Sequence, residues 1–130
     1  MQYSYRHCNI KDCIFTHATF KGEKGCISSI QEKMDLIKTS RIKSQPIKER
    51  TGGSTFKNPK NIKAWKLIDS TGLRGKKIGG ALVSQKHCNF LINTGNATAK
   101  DLEGLGDLVR KEVLKKHNIE LEWEIQRLGE

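Results

Sequence analysis

The residues from 98 to 118 constrain the fold most strongly, because they carry the clearest helical pattern in the chain. Apolar residues recur there at steps of three or four, which is the spacing of one face of a helix. They are Leu102, Leu105, Val109 and Val113. Thr98 and Asp101 resemble a capping arrangement at the start, and Asn118 follows the last apolar position. The pattern predicts one amphipathic helix whose apolar face packs against another layer.

The residues that follow this helix alternate strictly, as in a strand with one buried face. The apolar positions are Ile119, Leu121, Trp123 and Ile125, and the polar ones are Glu120, Glu122, Glu124 and Gln126. Three further strands are predicted, at 13–20, 78–84 and 90–93. Two further helices are predicted, one starting near 27 and one over 62–69. This mixture favours an α+β fold, a small sheet with helices packed mainly on one face.

Two prolines delimit the middle of the chain. Pro46 disfavours a helical conformation at the residue before it, so 41–50 is interpreted as an extended basic connector. It leads into the stretch 51–59, Thr-Gly-Gly-Ser-Thr-Phe-Lys-Asn-Pro, which Pro59 closes. The two glycines allow close approach of the backbone, so Ser54 can be carried on a tight bend with its hydroxyl facing a ligand. The other interpretation of this stretch is a polar turn between two elements.

Length and composition restrict the class of protein. A chain of 130 residues has the length of a single domain. It contains no run of 18 apolar residues, and its start lacks the apolar core of a signal peptide, so we expect a cytoplasmic protein without membrane segments. The four cysteines form no CxxC pair and are interpreted as reduced thiols. No metal site is predicted.

The net charge of +10 indicates an anionic partner, either nucleic acid, an acidic membrane surface or a phosphorylated substrate. Gly72 to Gly75, flanked by lysines, resembles the GxxG loop with which KH modules clamp nucleic-acid backbones. A KH loop leads into a helix, however, and residues 79–83 are a poor helix start. A small basic nucleic-acid-binding module is therefore kept as the alternative function.

Candidate catalytic residues come from three separate segments: Arg6, Ser54 and Glu124. Periodicity alone makes Glu124 a solvent-facing strand residue, and Arg6 has the features of an ordinary surface arginine. The motifs GxxxxGK[ST], HExxH and GxSxG are absent, which leaves nucleotide hydrolysis, zinc proteolysis and α/β-hydrolase chemistry without their signatures.

Taken together, these segments resemble the C-terminal, substrate-binding part of the UDP-N-acetylenolpyruvylglucosamine reductases, which are flavoenzymes of peptidoglycan precursor synthesis. The motifs follow the order of the family over nearly the whole chain. They are YRH at 5–7, IFT at 14–16, ATFK at 18–21, QP at 45–46, GSTFKNP at 53–59, AWKLID at 64–69, GGA at 79–81, HCNF at 87–90 and LEWEI at 121–125. The resemblance implies an α+β domain like the C-terminal domain of these enzymes.

The resemblance also implies a reaction. NADPH reduces FAD, the flavin passes hydride to the vinyl carbon of UDP-N-acetylglucosamine enolpyruvate, and UDP-N-acetylmuramate is formed. Ser54 matches the family's proton donor to the neighbouring carbon. Arg6 and Glu124 match the residues that act on the substrate carboxylate and the developing enolate. Asn58 and His87 match substrate contacts, and Arg41 and Lys57 are implied as partners of the diphosphate or carboxylate.

One departure from the family is large. The resemblance begins close to Met1, so we expect no counterpart of the family's N-terminal FAD-binding domain in residues 1–130, which are interpreted as the substrate-binding region alone. We expect this chain to be inactive by itself and to be a fragment, a truncated product or the partner of a separate flavin-binding chain. Smaller departures are Trp123 where proline is common and Cys8 where serine is common.

Overall fold

The computed structural model describes residues 1–4, 7–10 and 12–128. By contacts the chain divides into two compact units, Met1–Lys33 and Met34–Glu130. The elements, in chain order, are β1 (Tyr3–Ser4), β2 (His7–Cys8), α1 (Ile27–Ser44), β3 (Arg50–Ser54), α2 (Ala64–Ser70), β4 (Lys77–Ile78), β5 (Ala81–Val83), β6 (Phe90–Asn93) and α3 (Ala99–His117).

The second unit is built on a four-stranded antiparallel sheet with the strand order β3-β6-β5-β4. Helix α3 packs on β4, β5 and β6, and α2 packs on α3. The buried apolar side chains form one cluster between these elements. Its members are Phe56, Ala64, Leu67, Ile68, Ala81, Val83, Cys88, Leu91, Leu105, Val109, Val113 and Leu121. The α+β class with helices packed on one side of a small sheet is thus confirmed.

Helix α3 confirms the prediction made from its pattern. At its start the Thr98 hydroxyl accepts from the Asp101 amide at 3.1 Å, and the Asp101 carboxylate accepts from the Thr98 amide at 2.9 Å. The bond from the Thr98 amide lowers the pKa of Asp101. Asn118 ends the helix in the left-handed conformation with φ of 54°.

The strand predicted at 78–84 is wrong in its extent, because β4 and β5 are the two arms of a hairpin. Gly79 and Gly80 form its turn, with Ile78 opposite Ala81. Gly79 has a φ of +50°, and a Cβ on Gly80 would lie 2.4 Å from the Ala97 amide nitrogen, so both positions require glycine. The loop before the hairpin therefore leads into a strand, and the comparison with a KH loop is wrong.

The regular closing strand predicted at 119–126 is reduced to one bridge, between Trp123 and Phe56. The two aromatic rings lie 4.9 Å apart. Pairing is short because the partner segment is extended for only a few residues between Gly53, whose φ of +92° diverts the backbone, and Pro59, which has no N–H to donate.

The strand predicted at 13–20 is also wrong. Residues 13–26 form no regular element, and Ile14, Phe15 and Phe20 are exposed. A strand must pair its backbone with a neighbour, and none of the described residues forms a strand beside this segment. The connector predicted at 41–50 is helical as far as Ser44, where α1 ends. None of the described helices has the length and apolar composition required to cross a membrane.

Candidate functional site

Ser54 lies at the end of β3, directly after a β-bulge. Thr51 is opposite Ile92 and Ser54 is opposite Phe90, so three residue steps on β3 face two on β6. Gly53 takes the positive φ of +92° that the extra residue imposes, and its amide donates to the Thr51 hydroxyl at 3.3 Å. The predicted tight bend is thus a bulge within a strand, and Ser54 is partly buried there.

Gly52 lies close to a side chain of the closing segment. A Cβ at this position would lie 3.1 Å from the Cδ1 atom of Ile125, which is tighter than ordinary contact. The absence of a side chain lets the closing segment approach β3. Each glycine of the pair therefore has its own structural explanation, one conformational and one steric.

Glu124 belongs to that closing segment and comes close to Ser54 along the backbone. Its amide donates to the carbonyl of Thr55, the residue after Ser54, at 2.8 Å. Glu124 is partly buried, in contrast to the exposed strand position that alternation alone predicts. Arg6 lies outside the described residues, so the convergence of all three candidate catalytic residues stays a prediction.

Two buried polar residues, Asn89 and Thr55, hold this region together and were not singled out from the sequence. The Asn89 side chain accepts from the Phe56 amide at 3.0 Å and donates to the Phe56 carbonyl at 2.9 Å. The Thr55 hydroxyl accepts from the Leu91 amide at 3.2 Å. The HCNF motif contains Asn89, but neither periodicity nor spacing indicates that its side chain bonds to a backbone 33 residues away.

The predicted substrate contacts Asn58 and Lys57 follow Ser54 on the same segment. Asn58 is partly buried, and its Oδ1 accepts from the Ala64 amide at 3.0 Å, which positions the start of α2. Lys57 forms an ion pair with Glu122 at 3.1 Å, and both side chains are largely exposed. An exposed pair of this kind contributes little to stability, so an anionic ligand can compete for the lysine.

His87 is partly buried next to aromatic rings. Its ring lies 4.8 Å from that of Phe90, edge to face, and 6.3 Å from that of Trp65. Burial lowers the pKa of His87, and the positive charge of Arg74 lowers it further. Its Nδ1 accepts from the Asn89 amide at 3.3 Å, so in the neutral ring Nε2 carries the proton. His87 is thus suited to donate a neutral hydrogen bond.

Arg41 is exposed near the end of α1, where its Nε donates to the Gln45 side chain at 3.3 Å. With Leu36 and Ile37 it lines a shallow cavity of about 440 Å³. Its assignment as a partner of the diphosphate or carboxylate stays a prediction.

A second cavity, of about 480 Å³, lies at the Arg50 end of β3, and Ser54 is at the opposite end of this strand. Its walls come mainly from β3, α3 and the closing segment, and include Gly52, Leu102, Trp123 and Ile125. Neither Ser54 nor Glu124 is among the lining residues. Of the candidate catalytic residues that the structure describes, neither contributes to the wall of this cavity.

The glycine pair Gly79 and Gly80 does not fit the diphosphate of a dinucleotide cofactor. A Cβ on Gly79 would lie 2.4 Å from the Asp101 carboxylate, so that turn is already filled by a negative charge. Gly80 is closed by the backbone at Ala97. Among the described residues no group of three or more His, Cys, Asp or Glu could hold a metal ion.

Comparison with known proteins gives consistent matches. Residues 45–128 match the family model described as UDP-N-acetylenolpyruvoylglucosamine reductase, C-terminal domain. Over 128 residues the chain is 57% identical to the UDP-N-acetylenolpyruvoylglucosamine reductase of Rickettsia typhi, covering 98% of this chain and 43% of the relative. The enzyme of the same name from Sphingopyxis alaskensis is 55% identical with the same coverage. The chain thus spans 43% of the length of these relatives.

A solved structure gives the same result. The crystal structure of UDP-N-acetylenolpyruvylglucosamine reductase from Thermus caldophilus matches with a TM-score of 0.61 and 39% identity, covering 75% of this chain and 34% of that one. The alternative of a nucleic-acid-binding module finds no support, since the relatives named here are reductases and the loop at Gly72 to Gly75 leads into β4.

Proposed function

The chain belongs to the UDP-N-acetylenolpyruvoylglucosamine reductase, C-terminal domain, family, and we propose that it provides the substrate-binding and proton-donating part of such a reductase. The proposed reaction converts UDP-N-acetylglucosamine enolpyruvate to UDP-N-acetylmuramate, a step of peptidoglycan precursor synthesis. We also propose a cytoplasmic location. Its support is that Cys8, Cys13, Cys26 and Cys88 are all free thiols, as a reducing compartment favours.

The hydride for this reaction would come from FAD reduced by NADPH. The turn at Gly79 and Gly80 offers no cradle for the diphosphate of either cofactor, because the two positions are closed by Asp101 and Ala97. We therefore propose that the FAD is held by a flavin-binding domain, joined to this chain or provided by a separate one. The role of this chain is confined to the substrate.

The proposed role of Ser54 is to complete the reduction with a proton. Hydride adds to the vinyl carbon, and the electrons of the double bond move to the neighbouring carbon beside the carboxylate. The Ser54 hydroxyl gives its proton to that carbon and regains one from solvent. A serine hydroxyl is a very weak acid, so this step requires a strongly basic carbanion and a well-organised site.

The observation that carries the proposal is the backbone at Ser54. The bulge at Gly53 fixes where Ser54 lies on the strand. The hydrogen bond from the Glu124 amide to the Thr55 carbonyl holds Glu124, which carries a carboxylate, beside the residue that follows Ser54. We propose that Glu124 and Arg6 act on the developing enolate and the substrate carboxylate.

The remaining candidates are proposed to bind the substrate. Asn58 and His87 would contact it through neutral hydrogen bonds, and the lowered pKa of His87 supports this role over that of a cation. Lys57 and Arg41, both exposed, would pair with the diphosphate or carboxylate.

The test requires a fusion protein in which the part of the Rickettsia typhi relative that precedes the matched residues is joined to this chain. Rapid kinetics would follow flavin reduction by NADPH and flavin reoxidation by UDP-N-acetylglucosamine enolpyruvate as separate steps. Ser54→Ala is expected to leave the first step unchanged and to slow the second about 10²- to 10⁴-fold, because the proton donor is lost.

Ser70→Ala, at the end of α2, is the matched control and is expected to leave both steps unchanged. The 130 residues alone serve as the blank and are expected to show no substrate-dependent NADPH oxidation. Full reoxidation rates in the Ser54→Ala fusion, or an inactive parent fusion that binds FAD, would contradict the proposal.

A further inference from the structure

We propose that Asn89 is a positioning residue for the proton-donating step, because it fixes the backbone that carries Ser54. The inference rests on the proposed function, since it concerns the geometry of the proposed proton donor. It adds a residue to which neither the family model nor the names of the relatives assign a role.

Three hydrogen bonds join Asn89 to two consecutive residues, Thr55 and Phe56. The side chain of Asn89 accepts from the Phe56 amide at 3.0 Å and donates to the Phe56 carbonyl at 2.9 Å. Its own carbonyl accepts from the Thr55 amide at 2.8 Å. Asn89 is only 4% exposed, so these bonds form away from water, where they are strongest and where their loss costs most.

These bonds continue the sheet beyond the point where β6 begins. Phe90, the first residue of β6, is opposite Ser54, so no strand residue of β6 is available for Phe56. A carboxamide presents one acceptor and one donor side by side, as the backbone of a strand does. The Asn89 side chain therefore takes the place of a missing strand partner.

The same backbone also holds Glu124. The Thr55 carbonyl accepts from the Glu124 amide at 2.8 Å, so the amide and carbonyl of Thr55 and of Phe56 are all hydrogen-bonded. Three of these four groups bond to Asn89. Loss of the bonds to Asn89 would therefore shift Ser54 and the segment that carries Glu124 together.

Because Asn89 is buried, its effect is expected on the alignment of groups and not on substrate contact. A displacement of about 1 Å in a reacting group can lower a rate about 100-fold. We therefore expect substitution of Asn89 to lower the rate of flavin reoxidation by the substrate while leaving the substrate dissociation constant within about threefold.

The first experiment measures the bonds themselves, by amide hydrogen exchange on the 130-residue chain. In Asn89→Ala the Phe56 amide is expected to exchange at least tenfold faster relative to amides in the middle of α3. Val113→Ala, a buried truncation on α3 that leaves these bonds intact, is the matched control and should not raise that ratio. An unchanged Phe56 exchange ratio in Asn89→Ala would overturn the inference.

The second experiment uses Asn89→Asp in the fusion protein. A protonated carboxyl can donate to the Phe56 carbonyl and accept from the Phe56 amide, as asparagine does, whereas the ionised form can only accept. Burial raises the pKa of a carboxyl, so lowering the pH restores the missing donor. His87, whose Nδ1 accepts from the Asn89 amide, titrates as well, and an ionised carboxylate at position 89 would raise its pKa, so Asn89→Asp is also compared with the parent in a His87→Gln background.

The expected result is that reoxidation by the substrate is slowed about 100-fold at high pH and recovers as the pH falls, relative to the parent. Flavin reduction by NADPH should stay within twofold throughout. Equal losses in both steps, or no recovery at low pH, would indicate a purely structural residue and overturn the inference. Inactivity of the parent fusion would instead contradict the proposed function, so the two failures are distinguishable.

Discussion

Helices α1 and α3 have nearly the same length, 18 and 19 residues, but opposite surroundings. α3 buries Leu105, Val109 and Val113, while α1, all of whose residues the structure describes, buries none. Both carry apolar residues at helical spacing, which on α1 are Ile27, Ile30, Met34 and Ile37. The difference teaches that periodicity identifies which face of a helix is apolar, whereas burial depends on whether another layer covers that face.

Matched leucine substitutions in the two helices are expected to give the largest difference in the free energy of unfolding. Leu105→Ala removes a fully buried side chain and should lower the free energy of unfolding by about 2–5 kcal/mol. Leu36→Ala on α1, where the side chain is 64% exposed, should change it by less than about 0.5 kcal/mol. Urea unfolding of the chain measures both, and an equal loss for Leu36→Ala would show that α1 is covered in solution.

Threonine substitutions in the two helices should give a smaller difference in the free energy of unfolding. Thr98→Ala removes the cap that accepts from the Asp101 amide and is expected to cost about 1 kcal/mol. The same substitution at Thr39, within α1, should not destabilise, because alanine has the higher helix propensity. Thermal unfolding followed by circular dichroism compares the two, and a Thr98→Ala protein as stable as its parent would exclude the cap as a stabilising feature.

The smallest effect concerns pH and tests whether His87 belongs to the well-packed part of the molecule. Burial holds its pKa below the usual value in the folded chain, so the unfolded chain binds the proton more readily. The stability due to neutral His87 is therefore present above pH of about 6.5 and is lost as the pH falls towards the lowered pKa. His87→Gln should reduce this slope between pH of about 5 and 7 in urea unfolding, and an unchanged slope would mean that the ring is not buried in solution.

The parts of the fold that could be predicted are those whose signals are local. Helix α3 followed from its spacing, its cap and Asn118, all within 21 residues, and the structure has the same features. The strand at 90–93 was likewise confirmed. Such elements satisfy their hydrogen bonds internally or with an adjacent strand, so tertiary context changes them little.

The wrong predictions concern segments whose structure depends on pairing with another, distant segment of the chain. Alternation predicted a full strand at 119–126, but its partner is short, and only Trp123 forms a bridge. The apolar residues at 13–20 predicted a strand that has no pairing segment among those described. Asn89 could not be identified as a positioning residue because its bonding partner, Phe56, is distant in sequence.

The bulge at Gly52 and Gly53 makes the number of residues in β3 as important as their identity. In a regular strand two residue steps after Thr51 would suffice to bring a residue opposite Phe90, and β3 uses three to place Ser54 there. Deleting one glycine would therefore leave Ser54 opposite Phe90 in regular pairing, but it would remove the local bend and the added twist that a bulge gives to its strand. The serine would keep its partner on β6 and lose the direction in which its hydroxyl is now presented.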